Sequence, residues 1–177
     1  MVETKLPEFP YGPVIGTIIS SEAAAIFEPL IQSGNVDQLA DQKQIAGLKA
    51  GLEIPAKDYL KAMRIRSLIQ DAMRVLFDDF DVLLAPARLA PAQKITQPLD
   101  RPSSDRPTPK ERGLTALIPA GNLAGLPALS LPCGFADGMP MAIQLVGRPF
   151  SENLLLTIGK FFQERTDWHK RRPTITS

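Results

Sequence analysis

Cysteine and histidine are nearly missing from this 177-residue sequence, which holds one of each, Cys133 and His169. A single thiol excludes an internal disulfide and an all-thiolate metal site, and no His-x-x-x-His or Cys-x-x-Cys spacing exists to hold a metal. Neither sign of charge is in excess. The formal net charge of +1 gives no electrostatic reason to bind nucleic acid or an anionic membrane surface. The one basic run, Lys170 to Arg172, reads as a solvated terminus. No apolar stretch approaches the ~20 residues needed to span a bilayer, and Met1 to Pro10 carries no apolar core of a secretory signal. These absences together favour a reducing, cytoplasmic setting. Phosphate-binding loops are lacking as well. Gly121-Asn-Leu-Ala-Gly125 has no following Lys-Ser/Thr, and no strand leads through it into a helix, so neither a Walker loop nor a dinucleotide fingerprint is present. No cofactor is implied.

What is present suits one folded domain. Hydrophobic residues make up 44% and charged residues 22%, ordinary globular usage, and the length is comfortable for one core but short for two. Seventeen prolines punctuate the chain. Pro7, Pro10 and Pro13 keep residues 1–13 extended. A first helix is expected after Ser20 or Ser21, with a kink or break at Pro29 and a stop at Gly34. The strongest helix signal covers 55–80, with Pro55 at its first position and Leu60, Met63, Leu68, Ala72, Leu76 and Phe80 as the inward stripe. Asp81-Val-Leu-Leu-Ala-Pro86 reads as a short buried strand. Residues 86–109 form a long proline-rich loop, of the length usually reserved for function or disorder. Thr108-Pro-Lys-Glu111 then fits a capping box opening a short helix through about Leu117. The segment from Asn122 leads into a strand near Ala128–Leu131, Asp137-Gly138 signals a hairpin, and Met141–Val146 returns. Both faces of that return strand are mostly apolar: Met141, Ile143 and Leu145 on one, Ala142, Gln144 and Val146 on the other. A last helix over about 151–168 directs Leu155, Ile158, Phe162 and Trp168 inward. The order predicts an α/β chain with helices against a partly antiparallel sheet.

No catalytic set stands complete in these residues. Asp78, Asp79 and Asp81 cluster at a helix end, where solvation explains them. Ser103-Ser104 lies in the proline-rich loop without glycines to form an oxyanion-binding nest. Cys133 could act as a nucleophile only if His169 were brought beside it, and nothing in the sequence does so; it reads as a small buried thiol, and His169 as an exposed tail residue.

Three blocks carry more information than any of these. Phe80-Asp-Val-Leu-Leu-Ala-Pro-Ala87 is followed by Gly121-Asn-Leu-Ala-Gly-Leu-Pro-Ala-Leu-Ser-Leu-Pro-Cys-Gly134, and then by Gly138-Met-Pro-Met-Ala-Ile-Gln-Leu-Val-Gly-Arg-Pro-Phe150. In this order they resemble the C-terminal half of amidase-signature enzymes, and Thr166 to Pro173 is similar to the family's ending. The resemblance covers residues 1–177. It implies the C-terminal portion of a single α/β domain built on a mixed sheet with flanking helices. It further implies hydrolysis of carboxylic amides through an acyl-serine, or transamidation of the kind carried out by tRNA-dependent amidotransferases. The family's lysine and two serines lie upstream of the matched region, so no catalytic residue carries over, and the chain is expected to be inactive alone.

What carries over is a supporting wall. The segment matching Asn122–Pro127 borders the family's active site, which makes Asn122 and Gly125 candidate substrate-binding residues, with strand entry as the alternative. Arg148 reads as structural. The glutamine-using branch holds its substrate with an arginine ahead of the long helix and an aspartate before the Asn-Leu-Ala-Gly block. The corresponding places here, near Asp41-Gln42 and Thr115, offer no such pair, which favours a general amidase. Expected partners are a small amide substrate once a catalytic part completes the fold, and a second copy or another chain covering exposed sheet edge and apolar surface. The alternative is a non-catalytic binding or scaffolding module that keeps this fold.

Overall fold

The computed structural model describes residues 1–92, 96 and 115–173. Its helices are α1 (Tyr11–Gln32), α2 (Gln42–Gly51), α3 (Ala56–Asp79), α4 (Leu117–Ala124) and α5 (Glu152–Arg165). Its strands are β1 (Val82–Pro86), β2 (Ala128–Ala136) and β3 (Met139–Gly147). The strands form an antiparallel sheet in the order β1-β3-β2.

Strand β3 lies in the middle and is used on both faces. Val146 joins Leu83, Ile69, Met73, Phe77 and the inner side of α1 in the larger core, while Leu145 joins Leu131 and Leu155 beneath α5. This matches the alternation expected of a doubly covered strand. Gln144, buried among apolar neighbours, donates from Nε2 to the Pro86 carbonyl at 3.5 Å. The hairpin is the one Asp137-Gly138 signals: two residues with φ of 52° and 76° join β2 to β3, the left-handed pair of a type I′ turn. α5 sits close on the sheet because Gly159 has no side chain; a Cβ there would lie 2.7 Å from Leu129 Cδ2.

Several expectations need correction. α1 begins at Tyr11, not after Ser20, because Pro13 occupies its first turn, where backbone N–H groups have no partner to lose. Val14 N–H makes the first helical bond, to Pro10 O at 3.1 Å. Nor does Pro29 break the helix, which runs on to Gln32 before Gly34 turns left-handed at φ 75°. The resulting 22-residue helix is, by length and composition alone, apolar enough to cross a membrane, contrary to the absence of any such stretch; here Tyr11, Val14, Ile18 and Ala24 are buried in the core.

On α3 the inward face is Ala62, Ile69, Met73 and Phe77, whereas Leu60 and Leu68 face outward. Met63, Leu76 and Phe80 of the expected stripe do pack on the larger core, but the stripe, drawn to avoid charges, leaves out the half-buried Arg66. β1 is an edge strand with Leu84 exposed, not a buried one. The Asn122 block leads into β2 at Ala128 as expected, with Asn122 to Ala124 forming the last residues of helix α4. The capping box at Thr108–Glu111, Ser103-Ser104 and most of the 86–109 loop lie outside the described residues.

Candidate functional site

α4 is eight residues long, and its C-terminal turn is the Asn122–Pro127 segment. Gly125 adopts φ 71°. Its N–H bonds Asn122 O at 3.3 Å, and Leu126 N–H bonds Gly121 O at 3.0 Å. This pair of reversed bonds is a Schellman closure, which a left-handed glycine completes without a Cβ penalty. A Cβ at Gly125 would meet nothing within 4 Å, so the turn needs its φ, and close approach of another described group does not explain the glycine. A further terminal carbonyl, Leu123 O, accepts from Arg66 Nε at 2.9 Å. An inward-facing arginine of α3 thus ties down the α4 turn. Sequence reasoning misses Arg66; its one signal is a charge on the buried side of a long amphipathic helix.

The turn feeds directly into the sheet. Gly147 N–H bonds Pro127 O at 3.1 Å, fixing the entrance of β2 against the end of β3. Asn122 is exposed, with no side-chain hydrogen bond among the described residues. At the same end of the sheet Arg148 Nη2 stands 4.0 Å from Asp81 Oδ1, both well exposed, a pair of little energetic weight.

A cleft of about 1080 Å³ opens along the outer side of β1, lined among others by Leu6, Phe9, Tyr11, Leu83, Ala85 and Leu117. It meets α4 at its first residue, so the structure does not bring Asn122 and Gly125 into its lining. Tyr11 holds the N-terminal segment over this cleft: its hydroxyl donates to Pro7 O and its ring packs against Phe9 at 6.1 Å. Burial pushes the Tyr11 phenol above its ordinary value.

The other candidates do not assemble. Cys133 is half-buried, not fully buried, at the bulge where β2 slips register between Pro132 and Gly134. His169 is not an exposed tail residue. It is half-buried in a short helical turn, with Nδ1 shielded and without a hydrogen-bond partner, and no hydrogen bond joins it to Cys133 among the described residues. In the basic run, Arg171 lies 4.4 Å over the Trp168 ring and 5.5 Å over that of Phe135 on β2, and Trp168 itself stands 6.0 Å from Phe135, so that part of the tail packs on the hairpin. Asp41 caps α2, accepting from Lys43 N–H at 2.9 Å and Gln44 N–H at 3.2 Å. Among the described residues no group of three or more His, Cys, Asp and Glu side chains is placed to hold a metal.

A protein-family model described as Amidase matches residues 21–156. The chain belongs to the amidase family. Among curated relatives, the A component of the glutamyl-tRNA(Gln) amidotransferase of Synechococcus sp. (strain JA-2-3B'a(2-13)) is 43% identical over 119 residues, 66% of this chain and 22% of the relative. That of Chloroflexus aggregans is 42% identical over 121 residues, 66% of this chain and 23% of the relative. The chain therefore spans less than a quarter of the length of these relatives. A solved amidase superposes with a TM-score of 0.76 at 27% identity, covering 90% of this chain and 36% of that one. The amidase-family α/β architecture expected from the three sequence blocks is thus the one observed.

The α4 turn and Tyr11 each yield a test. Gly125→Ala is expected to cost about 1–2 kcal/mol through its left-handed φ, and Arg66→Ala about 1.5–3 kcal/mol through the charged hydrogen bond to Leu123 O. Because both hold one turn, the double variant should cost less than the sum in denaturant titration; full additivity would show that the turn is not shared. For Tyr11, a raised folded pKa means that its stabilisation is complete below about pH 10 and is lost as pH rises through the folded value. Tyr11→Phe should therefore flatten the alkaline decline of Tm, and equal alkaline slopes in both proteins would contradict this.

Proposed function

We propose that this chain is the C-terminal, wall-forming part of an amidase-signature enzyme, inactive alone and serving carboxylic-amide hydrolysis once joined to a portion carrying the family's lysine and serines. One observation supports it above the others. Described serine hydroxyls with hydrogen bonds are spent on nearby backbone carbonyls: Ser21 on Thr17, Ser33 on Leu30, Ser67 on Met63 and Ser151 on Arg148. The bonded amine of Lys49 meets Asp37 at 2.6 Å, not a hydroxyl. A Ser/Lys mechanism needs hydroxyl and amine in one relay beside oxyanion donors. The α4 turn, by contrast, is a rigid backbone surface suited to border an acyl pocket, its carbonyls held by the closure and by Arg66 and the exposed Asn122 side chain projecting from it.

A second reading, part of a tRNA-dependent amidotransferase, is favoured by the names of the 42–43% identical relatives. Against it stands the lack of a charge pair near Asp41-Gln42 and Thr115; Asp41 is engaged as a helix cap. The single cysteine agrees with a reducing, cytoplasmic setting.

Activity decides between these readings and a purely structural module. The isolated chain should show no turnover above background on simple carboxamides or glutamine. A chimera in which residues 21–156 replace the matching stretch of a curated relative should hydrolyse amides. Turnover by the isolated chain would refute the proposal. A well-folded but inactive chimera would favour the non-catalytic module.

A further inference from the structure

The cleft beside β1 has backbone on both sides. One wall is the outer edge of the strand. Ala87 N–H bonds Ala142 O at 2.9 Å, and the ladder sets Ala85 opposite Gln144 and Leu83 opposite Val146. Because bonded pairs alternate with non-bonded ones in an antiparallel ladder, the odd-numbered residues of β1 exchange bonds with β3. Val82 and Leu84 therefore turn their N–H and carbonyl groups outward, and among the described residues no backbone group meets them. The opposite wall is the N-terminal segment. Val2-Glu-Thr-Lys-Leu6 alternates apolar or β-branched residues with charged ones, the pattern of a half-buried strand. It nevertheless forms no strand, and among the described residues none of its N–H or carbonyl groups bonds other backbone. Its position is fixed from below: Leu6 and Phe9 pack on the larger core, and the Tyr11 hydroxyl donates to Pro7 O.

The space between the walls suits one strand. A strand as long as β1 takes up about 16 Å along its axis, about 4.8 Å between neighbours and about 10 Å between faces, roughly 800 Å³. The cleft measures about 1080 Å³. An unpaired edge is a template for added backbone, and here two such edges bound one space. We infer that the cleft is a slot for a single inserted strand, hydrogen-bonded to Val82 and Leu84 on one edge and to residues 2–6 on the other. Its alternate side chains are apolar, because they meet Leu83, Phe9 and Leu117. A second copy of this chain offers no such segment: among the described strands β1 and β2 each keep one edge on β3, and β3 is bonded on both. The inserted strand belongs to the portion that completes the enzyme, an assignment that rests on the function proposed above. The matched stretch is 22% and 23% of the two curated relatives, so most of their length lies outside it.

Hydrogen exchange tests this on the full chain, alone and joined by a flexible linker to the part of the Chloroflexus aggregans relative that precedes the matched stretch. In the chain alone the amides of Val82, Leu84 and residues 2–6 should exchange near the rate of an unstructured peptide. In the fusion Val82, Leu84 and alternate amides of residues 2–6 should slow by about a hundredfold or more. Leu84→Pro removes an outward N–H and leaves the bonds to β3, as an edge strand allows. It should change the Tm of the chain alone by only a few degrees, yet return Val82 and residues 2–6 of the fusion to fast exchange. Leu84→Thr keeps the N–H and should keep the protection. Unchanged exchange in the fusion, or protection of β1 without residues 2–6, would overturn the inference, and neither outcome needs a variant to fold. Protection that survives Leu84→Pro, or that Leu84→Thr abolishes, would overturn it too. A fusion that protects both edges but hydrolyses no amide would uphold the slot and refute the proposed function. One that hydrolyses amides while both edges exchange freely would do the opposite.

Discussion

The fold depends on β3 being buried on both faces and paired on both edges. Neither β1 nor β2 touches the other; each joins the sheet only by hydrogen-bonding to β3. Val146 and Leu145, adjacent in sequence, anchor two separate apolar clusters because a strand turns successive side chains to opposite sides. Burying each such side chain stabilises by roughly 1.5–3 kcal/mol. A polar residue at either position would therefore open one cluster and weaken the layer that carries it.

The candidate site follows from the same constraint. β2 must enter beside the end of β3, and the Gly147–Pro127 bond fixes that entrance. The chain arrives from α4, so α4 must stop sharply, and the left-handed Gly125 with Leu126 N–H provides the stop. Arg66 then bonds a further terminal carbonyl, Leu123 O. The result is a backbone turn held by the sheet on one side and by α3 on the other, which is the kind of rigid element on which a pocket wall can be built. α1 lies on the other side of the larger core. Tyr11, Val14 and Ile18 fill that core, and Ser20 and Ala24 on its other side lie against Gly51 of α2.

The sheet is the most legible part of the sequence. Asp137-Gly138 between apolar runs marks a turn with two positive φ values, and the alternation from Met141 to Val146 marks the faces correctly. Both signals are local, set by residues within a few positions of one another. α3 is legible as a helix and only in part in its orientation: Met63, Leu76 and Phe80 pack on the core as expected, while Arg66, whose partner Leu123 lies 57 positions away, is hidden. The start of α1 is hidden, since proline disfavours a helix interior but is tolerated in a first turn, and even Pro29 near the other end does not stop this helix. The block around Asn122 stands out as a motif while its helical form does not. Gly121 and Gly125 lower helix propensity, and the tertiary bond from Arg66 that secures the last turn cannot be seen locally.

If β3 organises these residues into a unit that folds by itself, native-state hydrogen exchange of the isolated chain tests that claim most directly. The amides of Ala142 to Val146 should be the slowest in the molecule and should exchange together at the free energy of global unfolding, because no partial opening can free a strand bonded on both sides. Exchange of these amides faster than those of α3, or at the rate of an unstructured chain, would contradict it.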